Sequence, residues 1–295
     1  MPTPPPRSQA SAQVPAQGPG PLAQLADASG SARACALQIL QLDDPVAKAD
    51  AARALLQALR AGQAHIDPAE VLAEPAALPG RPALPRLVPA TEVARRSPFT
   101  LEGRCALLHA IAHIEFNAIN LALDAVWRFT GMPTAFYADW LQVAGEEALH
   151  FSLLREHLAT LGRSYGDFDA HDGLWRMTEA TKDDIVARMA LVPRTLEARG
   201  LDATPPIQAK LARAGDARAV AILDVILRDE VGHVAIGNRW YAWLCARKGL
   251  DPLAHYALLV QRHEAPRPRP PFNVEARQRA GFSAAELALL GPPGG

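Results

Sequence analysis

Cysteine is scarce. The 295 residues hold three, Cys35, Cys105 and Cys245, with no C-x-x-C spacing among them. That argues against a disulfide framework or a thiolate zinc site and leaves the thiols as small buried hydrophobes in a reducing, cytoplasmic setting. An excess of either charge is lacking too. Thirty Lys and Arg against thirty-one Asp and Glu give a net charge of −1, so no general field draws the chain to nucleic acid or an anionic membrane. No run approaches the roughly 18 uninterrupted apolar residues of a membrane span. The opening MPTPPPRSQASAQ has no apolar stretch behind its charge, as a signal peptide requires, so the expectation is a soluble, unexported chain. No glycine-rich phosphate loop is visible, and almost nothing alternates as strand does.

What is abundant is apolar sequence, 49% of the chain, enough for one main domain with extensions. Residues 1–30, rich in Pro, Ala, Gly, Gln and Ser, are expected to form a disordered tail. Residues 31–98 read as a helical cap and a strap. Helices are expected at about 31–42 and 46–61, the second announced by Asp44 as cap and Pro45 in its first turn. Prolines then recur too often for helix or central strand over about 73–98.

Residues 99–250 carry four long helical patterns, at about 100–130, 133–162, 173–200 and 216–248. The first places Leu108, Ile111, Ala112, Ala118, Ile119 and Ala122 on one stripe at three- and four-residue spacing. Pro193 must kink the third or start a new segment, and GLDATPPIQAKLARAG would hold a short extra helix before the fourth. Residues 251–295 read as a proline-rich strap and one short helix anchored by Phe272 and Phe282. The fold class expected is all-α, an up-and-down four-helix bundle with extra N-terminal helices and a C-terminal strap.

Polar residues intrude on the apolar stripes at chosen places. Glu115 points with Ile111, Ala112, Ala118 and Ile119 on the first long helix. The second carries Glu147-x-x-His150 between Val143 and Leu154, and the fourth Glu230-x-x-His233 between Leu227 and Gly237. Glu197, near the end of the third, is the fourth carboxylate, with Glu179 as a substitute because Pro193 disturbs the phase. Glu115 to Glu147 spans 32 residues and Glu197 to Glu230 spans 33, so each half of the bundle repeats a lone Glu followed by Glu-x-x-His.

Buried carboxylates without partners cost several kcal/mol each and repel one another. Four glutamates carry −4, which two divalent ions balance, while two neutral imidazoles complete the coordination. Oxygen and imidazole donors without thiolate favour iron, with manganese as the alternative, over structural zinc. Glu147 and Glu230 take bridging roles, and Glu115 and Glu197 terminal ones. A ligating His needs an acceptor for its other ring N–H; Asp229 is expected to orient His150, and Glu146 to orient His233.

At these residues the chain resembles the ferritin-like di-iron carboxylate superfamily, which binds two metals through the order Glu, Glu-x-x-His, Glu, Glu-x-x-His. AHIEFNAINLALDA, EEALHFSLLREHL, LEARGLD, RDEVGHVAIGNRWY and RPPFNVEARQRAGF resemble, more narrowly, a bacterial ferritin-like family of unknown function, over about residues 30–290. The resemblance implies oxygen or peroxide chemistry at a di-iron or manganese–iron pair, acting on a small-molecule substrate with a separate electron donor, neither of them named by the chain. A tRNA-modifying hydroxylase group is a relative in kind, but the near-neutral charge gives RNA no support.

Two other readings compete: a ferritin-type iron oxidation and storage protein, and a metal-free helical interaction module. The additions before and after the bundle argue against shell packing, and a homodimer stays open. His109 and His113, four apart, would suit a zinc pair, yet no Glu follows His109 as a zincin motif requires, so packing or supporting hydrogen bonds are expected of them. His157 is expected at a rim. Tyr137, Tyr165 and Tyr241 are expected in the core, and PRPRPP as a structural strap rather than a partner-binding polyproline segment.

Overall fold

The computed structural model describes residues 31–290; the expected tail at 1–30 lies outside the described residues. Within them the chain is all-helical, and its only strand-like feature is a lone parallel bridge between Leu87 and Ala170. Two short helices, α1 (Ala32–Leu40) and α2 (Pro45–Arg60), precede 40 residues without regular structure. Asp44 accepts from the Ala47 amide and Pro45 fills the first turn of α2, the start signal read in the sequence. Then come α3 (Leu101–Arg128) and α4 (Thr134–Thr160), followed by α5 (Gly173–Ala180) and α6 (Ile185–Leu191). A π-helical turn, Val192–Glu197, leads into α7 (Ala198–Arg213), and the chain continues through α8 (Ala217–Lys248), α9 (Pro252–Arg262), α10 (Val274–Arg279) and α11 (Ala284–Ala288).

The core lies where α3, α4, α8 and the α6–π–α7 rod face one another. α3 packs along α4, α4 meets α8, and the rod lies along α8. The turn between α3 and α4 covers only residues 129–133, which forces the two helices to run antiparallel. α3 has the length and mean hydropathy of a membrane span, which a count of uninterrupted apolar residues misses. Yet 72% of its most apolar window is buried inside the protein, as suits the central helix of a globular core rather than a surface facing lipid.

The cap is riveted to this core. Lys48, fully buried on α2, donates to the carbonyl oxygens of Leu40 (3.1 Å) and Gly80 (2.8 Å) and to Asn120 Oδ1 on α3 (2.7 Å). Burial pulls its ammonium down to about 7. α2 lies so close to α4 that a Cβ on Gly145 would stand 2.4 Å from Leu56 Cδ2.

One expectation about helix breaks needs correction. The segment at 173–200 is not one kinked helix: α5 ends at Ala180, α6 starts afresh on the Asp184 cap, and the chain widens at Pro193 into the π-turn. Proline brings no N–H to the ladder, and Thr195 Oγ1 donates to the Ala190 carbonyl (2.8 Å) inside the widened turn. The extra helix expected within residues 200–215 is α7, which holds Pro205-Pro206 and runs through both. The Leu201 carbonyl, which Pro205 cannot serve, accepts instead from Asn273 Nδ2 (3.2 Å), and Asp202 holds Arg277 of the same tail segment (2.6 Å). The C-terminal region from residue 251 holds three helices among its described residues, α9, α10 and α11, where one was expected. Phe282 packs beside Ala198, Leu201 and Val234.

Candidate metal centre

Glu115 stands on α3, Glu147 and His150 on α4, Glu197 at the last position of the π-turn, and Glu230 and His233 on α8. All six are at least nine-tenths buried. Helical geometry accounts for the paired residues, because Glu and His three apart share a face. Glu115, Glu147 and His150 form one group able to hold an ion, and Glu147, Glu230 and His233 form a second, with one donor atom from each residue lying within 4.8 Å of the others in its group. Glu147 belongs to both. Its carboxylate lies 3.3 Å from His150 Nδ1 and 2.9 Å from His233 Nδ1, and His150 Nδ1 also lies 3.1 Å from Glu115 Oε2.

Both imidazoles thus turn Nδ1 toward the carboxylates and Nε2 away. His150 Nε2 donates to Asp229 Oδ2 (3.1 Å) on α8, and His233 Nε2 donates to Glu146 Oε2 (2.8 Å) on α4. Each helix therefore carries, four residues before its own histidine, the acid that orients the histidine of the other. Such a bond fixes which ring nitrogen is free for a metal.

Glu197 sits apart from both groups of three but within their field. Both of its oxygens are buried without a hydrogen-bond partner, as are Glu230 Oε2, Glu147 Oε1 and His233 Nδ1, the last two facing each other out of hydrogen-bond alignment. Buried polar atoms are seldom left so, and orphans gathered on three helical segments fit an absent cation. Glu179 is excluded as a substitute: its carboxylate is half-exposed and accepts from Trp175 Nε1 (3.0 Å). The π-turn is what the sequence pattern could not place. Its wider winding shifts the phase of the residues after Pro193, and a Cβ on Gly237 would meet the Pro193 ring at 2.5 Å, so only glycine lets α8 approach this turn.

The electrostatics follow from burial among like charges. Burial and the neighbouring Glu147 push the Glu115 carboxyl up to about 8, and the same two causes push Glu197 to about 8 and Glu230 well above the ordinary range. Glu147 goes the other way. Burial opposes its charge, but the imidazoles of His233 and His150 hold it far below the usual carboxylate range. Burial opposes the charge of the imidazoles too, and their acidic partners overcome it, raising both well above the ordinary value. Asp229, bonded to His150, falls to about 2 against its own burial. Without a cation the cluster balances itself with protons, and these are the protons a metal would displace.

The remaining singled-out residues lie outside the cluster. His109 accepts from the Gly166 amide (2.9 Å), and His113 pairs with Tyr165 (2.8 Å). His157 is not at a rim: it is buried and bonded to Asp216 (2.8 Å), the N-cap of α8. The hydroxyls of Tyr137 and Tyr241 donate to main-chain carbonyls of Phe129 and Pro252, each at 2.8 Å.

A family model described as "Protein of unknown function (DUF455)" matches residues 41–288 of the chain. An uncharacterized protein of Haemophilus influenzae is 55% identical over 213 residues, covering 70% of this chain and 74% of its own. No solved structure matches.

Proposed function

The chain belongs to the family described as protein of unknown function (DUF455), and on that footing we propose that it is a ferritin-like di-metal carboxylate oxidoreductase acting on a small molecule. One observation carries the reading: two buried Glu/His groups share Glu147 and leave carboxylate oxygens without partners. In this reading α3, α4, the α6–π–α7 rod and α8 are the four rods of a ferritin-like bundle. Glu115, Glu147, Glu197 and Glu230 would hold the ions through their carboxylates, and His150 and His233 through Nδ1. Hard oxygen and imidazole donors without thiolate suit iron, or manganese with iron, and the three free cysteines are in keeping with a reducing cytoplasm.

A bound pair of such ions would supply the electrons for reducing O2 or peroxide, a chemistry the side chains cannot perform themselves. The protein's own part is positional. Asp229 and Glu146 fix the orientation of His150 and His233. Phe116 and Phe151, the buried chain neighbours of Glu115 and His150, place apolar rings with centroids 5.5 Å apart in the same core. The carboxyls of Glu115, Glu197 and Glu230 hold protons when no ion is present and release them to admit one. The substrate and the electron donor come from outside the chain.

The test is metal analysis of full-length protein from a host supplied with both iron and manganese. Two equivalents per chain are expected, falling to one or none in Glu147→Ala. Reduced protein exposed to O2 should consume electrons and show a transient absorption. Protein that retains no metal, or that leaves O2 untouched once loaded, would end the proposal.

A further inference from the structure

A second site lies outside the cluster. Strap residues Arg81 to Leu87 cross α3 over His113, Phe116 and Asn117 and leave a cavity of about 460 Å³, with Tyr165 among its walls, a volume suited to a small organic molecule. Its polar groups form a chain whose proton positions the geometry decides. Asn117 Nδ2 is 3.0 Å from the main-chain oxygen of His113, which can only accept, so this atom is the amide NH2 group. The same Nδ2 is 3.0 Å from His113 Nε2. A proton there would set two donors against each other, so Nε2 carries the lone pair and Nδ1 the proton.

His113 Nδ1 therefore donates to the Tyr165 hydroxyl oxygen (2.8 Å). Among the described residues that hydroxyl has no other partner, so its own O–H is left for a group in the cavity. Arg81, the cation at the mouth, is already held by both oxygens of Asp172 (3.1 and 2.8 Å), which removes the need for an anionic ligand. Pro82, Leu84, Pro85 and Phe116 supply apolar wall.

We propose that this cavity binds a small apolar molecule bearing a neutral oxygen acceptor, such as the carbonyl of an amide or ketone, oriented by the Tyr165 hydroxyl. The site does not rest on the metal reading. The rings of Phe116 and Phe151 pack against Tyr165, and none of the six cluster residues lines the cavity.

Benzamide, benzoate and toluene titrated into the full chain test it. Benzamide should bind, with the other two roughly tenfold weaker or more, one lacking the acceptor and the other carrying a charge the site leaves unpaired. Tyr165→Phe should weaken benzamide by roughly 5- to 30-fold and leave toluene unchanged. Asn117→Asp faces His113 Nε2 with an acceptor, draws the ring proton there and turns the Tyr165 hydroxyl back onto Nδ1. It should lose benzamide as Tyr165→Phe does, although the tyrosine remains, which mere loosening of the fold would not mimic. On the unaltered protein, ring-nitrogen NMR of His113 should report the Nδ1–H tautomer, which keeps the proposal testable if neither variant folds. The Nε2–H tautomer, equal binding of benzamide and toluene, or no benzamide uptake at millimolar concentration overturns it.

Discussion

Glu197→Met should make the metal-free protein more stable while removing metal. Glu197 is buried with neither oxygen partnered, and its carboxyl is raised from 4.5 to about 8. A carboxyl with a raised folded-state value destabilises the fold increasingly as pH rises from its unfolded value toward the folded one, because the unfolded chain gives up a proton that the folded chain must keep. At 1.36 kcal/mol per unit, this cost rises from about 1 kcal/mol at pH 5 to about 3 kcal/mol at pH 7 and about 4 kcal/mol at pH 8. Methionine of similar volume has no such cost, and exchanging buried charge for apolar side chains commonly gains 1–4 kcal/mol. Thermal unfolding of chelator-treated protein should therefore show the variant's midpoint raised by about 6–12 °C at pH 7, with the gain reduced to about a third at pH 5. The same variant should lose at least one metal equivalent. A metal-free variant less stable than its parent, or a gain that stays flat from pH 5 to pH 8, would refute the reasoning; two retained metals would remove Glu197 from the ligand set.

Other perturbations probe neighbouring parts of the argument. Asp229→Asn replaces an acceptor that His150 needs; metal affinity, followed by competition with a chelator, should fall about 10- to 100-fold, and the metal-free unfolding midpoint at pH 7 should fall as well, because Asp229 is paired with the protonated His150 there. Gly237→Ala brings a Cβ to 2.5 Å from Pro193 and should cost about 1–3 kcal/mol by chemical denaturation, with reduced metal content because the same turn ends in Glu197. Metal uptake at pH 7 in weak buffer should release protons, about three from carboxyls and two from imidazolium rings, and affinity should rise with pH between 6 and 8; uptake without proton release would contradict the protonated cluster inferred from burial.

The long helices could be read from the chain because their cues are local. Thr100, Asp216 and Gly249 cap α3 and α8, and apolar residues recur at three- and four-residue spacing between those ends. Glu-x-x-His is equally local, since three residues along a helix always share a face. The rod that carries Glu197 was not legible in the same way. Pro193 and Pro205-Pro206 look alike as helix breakers, yet one widens the helix and the other two leave it intact. The difference lies in distant groups: Gly237 makes room for the Pro193 ring, and Asn273 serves the carbonyl that Pro205 leaves free. His157 was misplaced for a similar reason, as its partner Asp216 is 59 residues away in sequence.

By itself the sequence determined the helical class, the ends of the long helices and the presence of carboxylate and imidazole on faces that must be buried, because each follows from the repeat of one helix. Only the tertiary structure decided that Glu147 lies between two groups, that each histidine leans on an acid from the opposite helix, and that Glu197 rather than Glu179 faces them. Those outcomes depend on how rods approach and wind against one another, which is set by contacts between residues far apart in the chain.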